Sequence, residues 1–305
     1  MSTRVPQHAV VVAVCTALLG ASGVGAAGDK VLFENAQVRL VEVTHRPGEP
    51  SLTAPVPYAS VLAVDAEWPA VLDAPRDPVA SARELTGNRV QPPDHRPYPW
   101  CQTRSAQAAH ALRVLGDFPL HYYRVDYKRV DGANYAGHWK ELHPWILQPV
   151  SKPPDLGFTP QPGEPYSNEF PFPLVYDAAK AAPENHFMRY EDEHIQFLEV
   201  AFRPGETENM HGHQYSSVFF RDQLPPPGVE ERNVTLRPGS PNPQGPLGRA
   251  PGSAAFPTCN AAVPEAPHQV SIVKGDYAEH FYRLQFKRID GADIRRRWTE
   301  WYPRG

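Results

Sequence analysis

The chain of 305 residues states the same pattern twice. Val38-Arg-Leu-Val-Glu-Val-Thr-His-Arg-Pro-Gly-Glu in the first half returns as Ile195-Gln-Phe-Leu-Glu-Val-Ala-Phe-Arg-Pro-Gly-Glu in the second. Further on, Tyr122-Tyr-Arg-Val-Asp-Tyr-Lys-Arg-Val-Asp-Gly-Ala returns as Phe281-Tyr-Arg-Leu-Gln-Phe-Lys-Arg-Ile-Asp-Gly-Ala. Order and spacing are kept between the two passages. A chain built this way folds as two copies of one unit, and what differs between the copies carries the functional information.

Each unit reads as β structure. Runs with period-2 alternation and β-branched or aromatic content lie at 38–44, 58–64, 111–114 and 122–130, and again at 195–202, 210–220, 269–273 and 281–289. The chain carries 36 prolines, which suit turns and edge strands and disfavour long helices. Many short strands between Gly/Pro turns indicate an all-β sandwich or barrel in each half. The expected organisation is a leader at 1–27, a first unit at 28–145, a Pro-rich linker at 146–183 and a second unit at 184–305. The linker holds Phe158, Tyr166, Phe170, Phe172 and Tyr176, so it is expected to pack along the barrels. A second long connection runs over 224–257, as a wall of the site or as a free loop.

Residues 1–27 have the form of a secretory signal peptide: Arg4 and His8, an apolar run from Val10 to Leu19, then a small-residue tail ending at Ala26 and Ala27. The expectation is an exported protein, periplasmic or secreted, with no membrane association after cleavage. A formal net charge of −4 gives no electrostatic footprint for nucleic acid. The mature chain keeps Cys101 and Cys259; a disulfide and a pair of buried thiols both remain open.

The copies diverge at one place. After the Arg203-Pro-Gly turn the second half carries His211-Gly-His213, and residues at i and i+2 of a strand share a face. His268 follows, nine residues after Cys259. In the first half His110 stands nine residues after Cys101, but Ala54 and Val56 stand where the paired histidines would be. His110 alone reads as a packed, hydrogen-bonded side chain.

The spacing Gly205-x5-His211-x-His213, with His268 near the Gly275 turn, resembles the cupin superfamily over about 184–302, with a weaker copy over about 30–145. The resemblance implies two cupin-type jelly-roll (double-stranded β-helix) barrels, a bicupin, and a metal held by His211, His213 and His268. The family's usual glutamate would fall at Ser217 or Val218, so three histidines remain. Some cupins with three histidines are iron-dependent dioxygenases. The implied cofactor is one divalent transition metal (Fe, Mn, Zn, Cu or Ni, with Fe favoured), and the implied partner is a small, anionic organic ligand. The protein is then a dioxygenase-type enzyme or a non-catalytic binder of ligand or metal, monomeric or homo-oligomeric; a structural protein with decayed sites is the third reading.

Alternation puts Tyr215, Ser217 and Phe219 on the face of His211 and His213. On the last strand Tyr282, Leu284 and Phe286, the more apolar set, are expected to face the barrel interior, with Arg283, Gln285 and Lys287 facing out. Tyr215, Ser217 and Tyr282 are therefore the pocket candidates. For proton transfer the nearby groups are Tyr215, Glu206 and Glu208. Glu206 repeats as Glu49, which marks a turn role, and Glu208 replaces Ser51.

Overall fold

The computed structural model describes residues 28–48, 50–75, 88–90, 98–132, 135–147, 170–223, 228–235 and 257–302. The leader at 1–27, linker residues 148–169 and most of the 224–257 connection lie outside the described residues. Among the described residues, no helix is long and apolar enough to cross a membrane.

The first half comprises β1 (Asp29–Glu34), β2 (Val38–His45), β3 (Pro50–Leu52), β4 (Ala59–Val64), β5 (Val71–Pro75), β6 (Asn88–Val90), β7 (Trp100–Arg104), β8 (His110–Val114), β9 (Leu120–Tyr127) and α1 (Tyr135–Leu142). After α2 (Ala178–Ala181), the second half comprises β10 (His186–Glu191), β11 (Ile195–Phe202), β12 (His211–His213), β13 (Ser217–Arg221), β14 (Glu230–Thr235), β15 (Thr258–Ala262), β16 (Glu265–Lys274), β17 (Glu279–Phe286) and α3 (Ile294–Trp301). Strand order repeats with the sequence: β1-β2-β9-β4-β7 matches β10-β11-β17-β13-β15, and β3-β8-β5-β6 matches β12-β16-β14. Each half is thus an antiparallel double-sheet jelly roll, the architecture expected of a cupin barrel.

The two five-stranded sheets pack against each other. Val38, Leu40, Val61, Ala63, Tyr123 and Val125 of the first half form one buried cluster with Ile195, Phe197, Val218, Phe220, Tyr282 and Leu284 of the second. These sheets are therefore buried on both faces, one toward the other barrel and one toward their own interior. This corrects the expected orientation of β17, whose eight residues are all buried. Tyr282, Leu284 and Phe286 fill the seam between barrels, while Arg283 lines the interior of its own barrel. The most apolar face belongs to the seam, where nothing polar has to be admitted.

A second correction concerns 210–220. This segment is not one strand: β12 pairs with β16 in the small sheet, and β13 pairs with β15 and β17 in the large one. The chain turns a corner at 214–216, so alternation does not carry from His213 to Ser217.

The helices α1 and α3 were not legible in the sequence. At eight residues each they are too short to hold on propensity and are stabilised by docking. Each docks on the opposite half. Tyr135 and Trp139 of α1 pack against Ala201, Tyr277 and Ala278, and Ile294 of α3 packs against Ala66 and Phe118. The turns leading into them cross as well: Gly132 N donates to Asp222 O (2.6 Å) and Gly291 N to Asp65 O (2.8 Å). The halves exchange arms. Cys101 on β7 and Cys259 on β15 form a disulfide, with Cα atoms 6.3 Å apart, which also joins the barrels. Of the linker aromatics, Phe170 and Tyr176 are buried; Phe158 and Tyr166 lie outside the described residues.

The first barrel is filled where the second is hollow. Trp68 stacks on Tyr122 with ring centres 5.5 Å apart and joins Trp100, Leu112 and Leu120 in a core, beside a cavity of about 40 Å³. His110 there contacts Thr53 Oγ1 at 3.0 Å. The second barrel holds a cavity of about 300 Å³.

Candidate metal centre

That cavity is lined by four histidines. The three expected from the sequence come together: ring centres are 5.0 Å apart for His211 and His213, 4.5 Å for His211 and His268, and 5.5 Å for His213 and His268. His211 sits directly opposite His268 in the β12–β16 pairing, and a register shift before His213 sets that residue opposite Glu265. Gly212 between them is required by close approach: a Cβ there would lie 2.9 Å from both Glu265 O and the Phe170 ring. The fourth, His186, opens β10 on the facing sheet, its ring 4.3 Å from His211 and 5.3 Å from His213. The sequence reading missed it because no short motif marks it.

Three of the imidazoles are fixed in the same tautomer. His211 Nδ1 lies 2.9 Å from Asn209 O, His268 Nδ1 3.0 Å from Ala266 O, and His186 Nδ1 3.3 Å from Ala182 O. A carbonyl only accepts, so Nδ1 carries the proton and Nε2 keeps its lone pair. His211 Nε2 is buried with no protein partner. Burial holds all four imidazoles below the ordinary histidine value. Arg283 and the crowding of imidazoles that cannot all be charged add to it: Arg283 and His268 at His186, which falls to about 3; His186 and His268 at His211; Arg283 and His211 at His213; and Arg283 at His268, where Glu265 pulls the other way. All four are neutral near pH 7, the form that binds a metal.

Two carboxylates complete the set. Glu208 Oε1 accepts from Val270 N (2.9 Å), and its Oε2 lies 3.5 Å from His211 Nδ1. Burial pushes the Glu208 carboxyl well above the usual range. Ligand atoms lie within 4.8 Å of one another in three overlapping groups: His186, His211 and His213; Glu208, His211 and His268; and His213, Glu265 and His268. Neutral imidazoles anchored through Nδ1, with the Nε2 of His211 orphaned in the cluster, fit a divalent transition ion.

Arg283 is fully buried beside the histidines. Its Nη1 pairs with Glu265 Oε2 at 2.5 Å, and its guanidinium lies 4.3 Å from the Phe219 ring centre. Its Nε and Nη2 have no hydrogen-bond partner. At Glu265 burial favours the acid, and Arg283 outweighs it, holding the carboxyl below its ordinary value. Arg221 pairs with Glu279 on the cavity wall.

The pocket candidates are placed differently. Tyr282 lies in the seam, its hydroxyl 3.2 Å from Glu199 Oε1 and 3.1 Å from Gln37 Oε1, two acceptors for its one proton. Ser217 is fully buried and Tyr215 half-buried, and neither lines the cavity, whereas Phe219 does. Glu206 closes the turn, its Oε2 accepting from Arg203 N at 2.7 Å. In the first barrel Asp29 and Arg124, 3.2 Å apart, stand in place of His186 and Arg283.

No family model and no curated protein matches the sequence. Solved structures are similar in fold. A cupin domain protein from Bordetella pertussis is 16% identical, over 34% of this chain and 95% of that one, with TM-score 0.25. A variant of the Bacillus subtilis oxalate decarboxylase is 12% identical, over 86% of this chain and 72% of that one, with TM-score 0.23. Procruciferin, an 11S globulin of Brassica napus, is 11% identical, over 85% and 83%, with TM-score 0.23. At these scores the likenesses add nothing to the strand order itself. By its own duplication, strand order and histidine spacing, the chain has the cupin fold in its duplicated, two-barrel form.

Proposed function

We propose that this is an exported protein whose second barrel binds one divalent transition metal among His186, His211, His213 and His268 and receives a small organic anion beside it. The observation that carries the reading is the set of cavity-lining imidazoles pinned by backbone carbonyls through Nδ1, with the Nε2 of His211 buried and unpartnered. The disulfide supports export, since such bonds persist in oxidising compartments. Iron remains the favoured metal and a dioxygenase-type reaction the favoured chemistry.

Bound there, a divalent ion supplies Lewis acidity and, if redox-active, oxygen chemistry. The chain's own residues do the rest. Arg283 Nε and Nη2 offer two charge-assisted donors in a fork that suits a carboxylate. Phe202, Phe219 and Phe281 exclude water from the organic part of the ligand. Glu208, whose carboxyl is pushed up by burial, stands with Oε2 3.5 Å from His211 Nδ1 as the group able to take up or release a proton there. Non-catalytic binding is the second reading, favoured by the pairing of Arg221 with Glu279 and Arg283 with Glu265, which leaves Glu208 as the chief acid–base group.

Calorimetric titration of the metal-loaded protein with short mono- and dicarboxylates tests this. The expected result is binding by at least one of them, weakened about tenfold or more in Arg283→Lys, which keeps the charge but loses the fork. Equal affinity in parent and variant contradicts the assignment of Arg283. Oxygen uptake with a binding ligand separates enzyme from binder.

A further inference from the structure

The arm exchange builds a second cluster on the seam face of β11 and β17, the opposite face of β17 from the one whose Glu279 and Phe281 line the cavity of the second barrel. His280 Nε2 lies 2.8 Å from Glu199 Oε1. His143, carried across from the first half at the end of α1, lies with its ring centre 4.1 Å from that of His280. His143 Nε2 is 2.8 Å from Asp131 Oδ2, also brought by the arm. All four side chains are buried. The duplication places a related cluster in the first half, where His121, Glu42, Asp65 and Asp290 are joined by Tyr302 Oη, 3.1 Å from His121 Nδ1. Tyr302 follows α3 as His143 follows α1. Only the second-half cluster therefore has two imidazoles.

We propose that His143, His280, Glu199 and Asp131 form a second divalent-metal site at the seam between the barrels. One ligand atom each from His143, Glu199 and His280 already lies within 4.8 Å of the others. A zinc-like ion takes nitrogen and oxygen ligands at about 2.0–2.2 Å, so it would replace the protons now shared within the two imidazole–carboxylate pairs, with small movements of the side chains. Two carboxylates offset its charge, and the two arginines that also pair with them, Arg129 and Arg189, are themselves partly exposed to solvent.

The outer contacts are in place. Arg189 Nε donates to Glu199 Oε2 (2.6 Å) and Tyr282 Oη lies 3.2 Å from Oε1, while Arg129 Nε donates to Asp131 Oδ1 (2.8 Å). His280 Nδ1 and Asp222 Oδ1 are both buried and without partners. Their equivalents in the first half, His121 Nδ1 and Asp65 Oδ1, are 3.3 Å apart, so by that equivalence Asp222 would accept the Nδ1–H of a metal-bound His280 once the side chains close. Entry is provided by a cavity of about 390 Å³, lined by His143, Glu199, Arg129, Arg189 and Trp145. Because α1 must be docked for His143 to arrive, the metal would lock the exchanged arm. None of this depends on the histidine cavity being a metal site.

The test is zinc stoichiometry of the full mature chain after dialysis from excess Zn(II). In His211→Ala/His213→Ala, one zinc per chain is expected to remain. Adding His143→Tyr, the residue the other half carries, should remove it with the near-ultraviolet circular dichroism unchanged. The single variant His143→Tyr, which leaves the first cavity intact, should hold one zinc fewer than the parent. An anomalous-scattering peak between His143 and His280 would place the ion. Failure of His143→Tyr to lower the stoichiometry, alone or in the combined variant, overturns the proposal, as does a peak elsewhere.

Discussion

Asp29 and His186 hold the same place in the two barrels. Asp29 opens β1 opposite Val43, His186 opens β10 opposite Val200, and both strands carry the same irregularity two residues on. Asp29 forms a salt bridge with Arg124, whereas His186 faces His211. This exchange, together with Ala54 and Val56 in place of the paired histidines, separates a barrel interior closed by a salt bridge from one that gathers imidazoles.

His186→Asp should therefore carry the second barrel toward the first. The carboxylate is expected to draw on Arg283 as Asp29 draws on Arg124, and metal affinity should fall by about tenfold or more while the fold persists. Competition against a chelator measures the affinity. Unchanged affinity would remove His186 from the site.

Gly212 is the second sensitive position. In Gly212→Ala the new Cβ meets the backbone of β16 and the Phe170 ring. The strands must part, at a cost of about 1–3 kcal/mol, and the opposed His211–His268 pair opens with them. Urea unfolding and metal titration should both show the loss.

The Cys101–Cys259 bridge spans 158 residues of sequence. Closing so long a loop restricts the unfolded chain strongly, and removing a native disulfide typically costs about 2–5 kcal/mol. Cys101→Ala/Cys259→Ala should unfold at a lower denaturant concentration by that amount, with both barrels still formed. An unchanged midpoint would mean that the seam alone sets the stability.

His121 predicts an alkaline loss. Burial disfavours its charged form, but Asp65 and Glu42 on either side outweigh burial and raise it to about 9. The other groups facing it are Asp290, Tyr302 and Tyr123. A histidine raised in the folded state stabilises fully below its unfolded value near 6.5, and the contribution fades as pH rises from there through about 9. Denaturant midpoints across that window should fall in the parent, and fall less in His121→Gln.

Much of this was legible in the sequence. The duplicated passages are β2 and β9 with β11 and β17, the strands that fill the seam, so packing kept them alike. The His211, His213 and His268 convergence followed from strand alternation and the motif spacing. The orientation of β17 was not legible, because the rule that apolar residues face inward presumes one buried face, and this strand has two. His186 stands alone in its strand, and only its alignment with Asp29 through a shared irregularity reveals it. His143 and Asp131 join their partners through an exchange of arms, which no local pattern encodes.

Metal analysis tests the central claim most directly. The mature chain, purified without a histidine tag, would be compared with His211→Ala/His213→Ala for iron, manganese, zinc, copper and nickel, before and after incubation with each. The account predicts that the variant holds one metal ion per chain fewer than the parent. Equal metal content in the two proteins, with or without added metal, would contradict it.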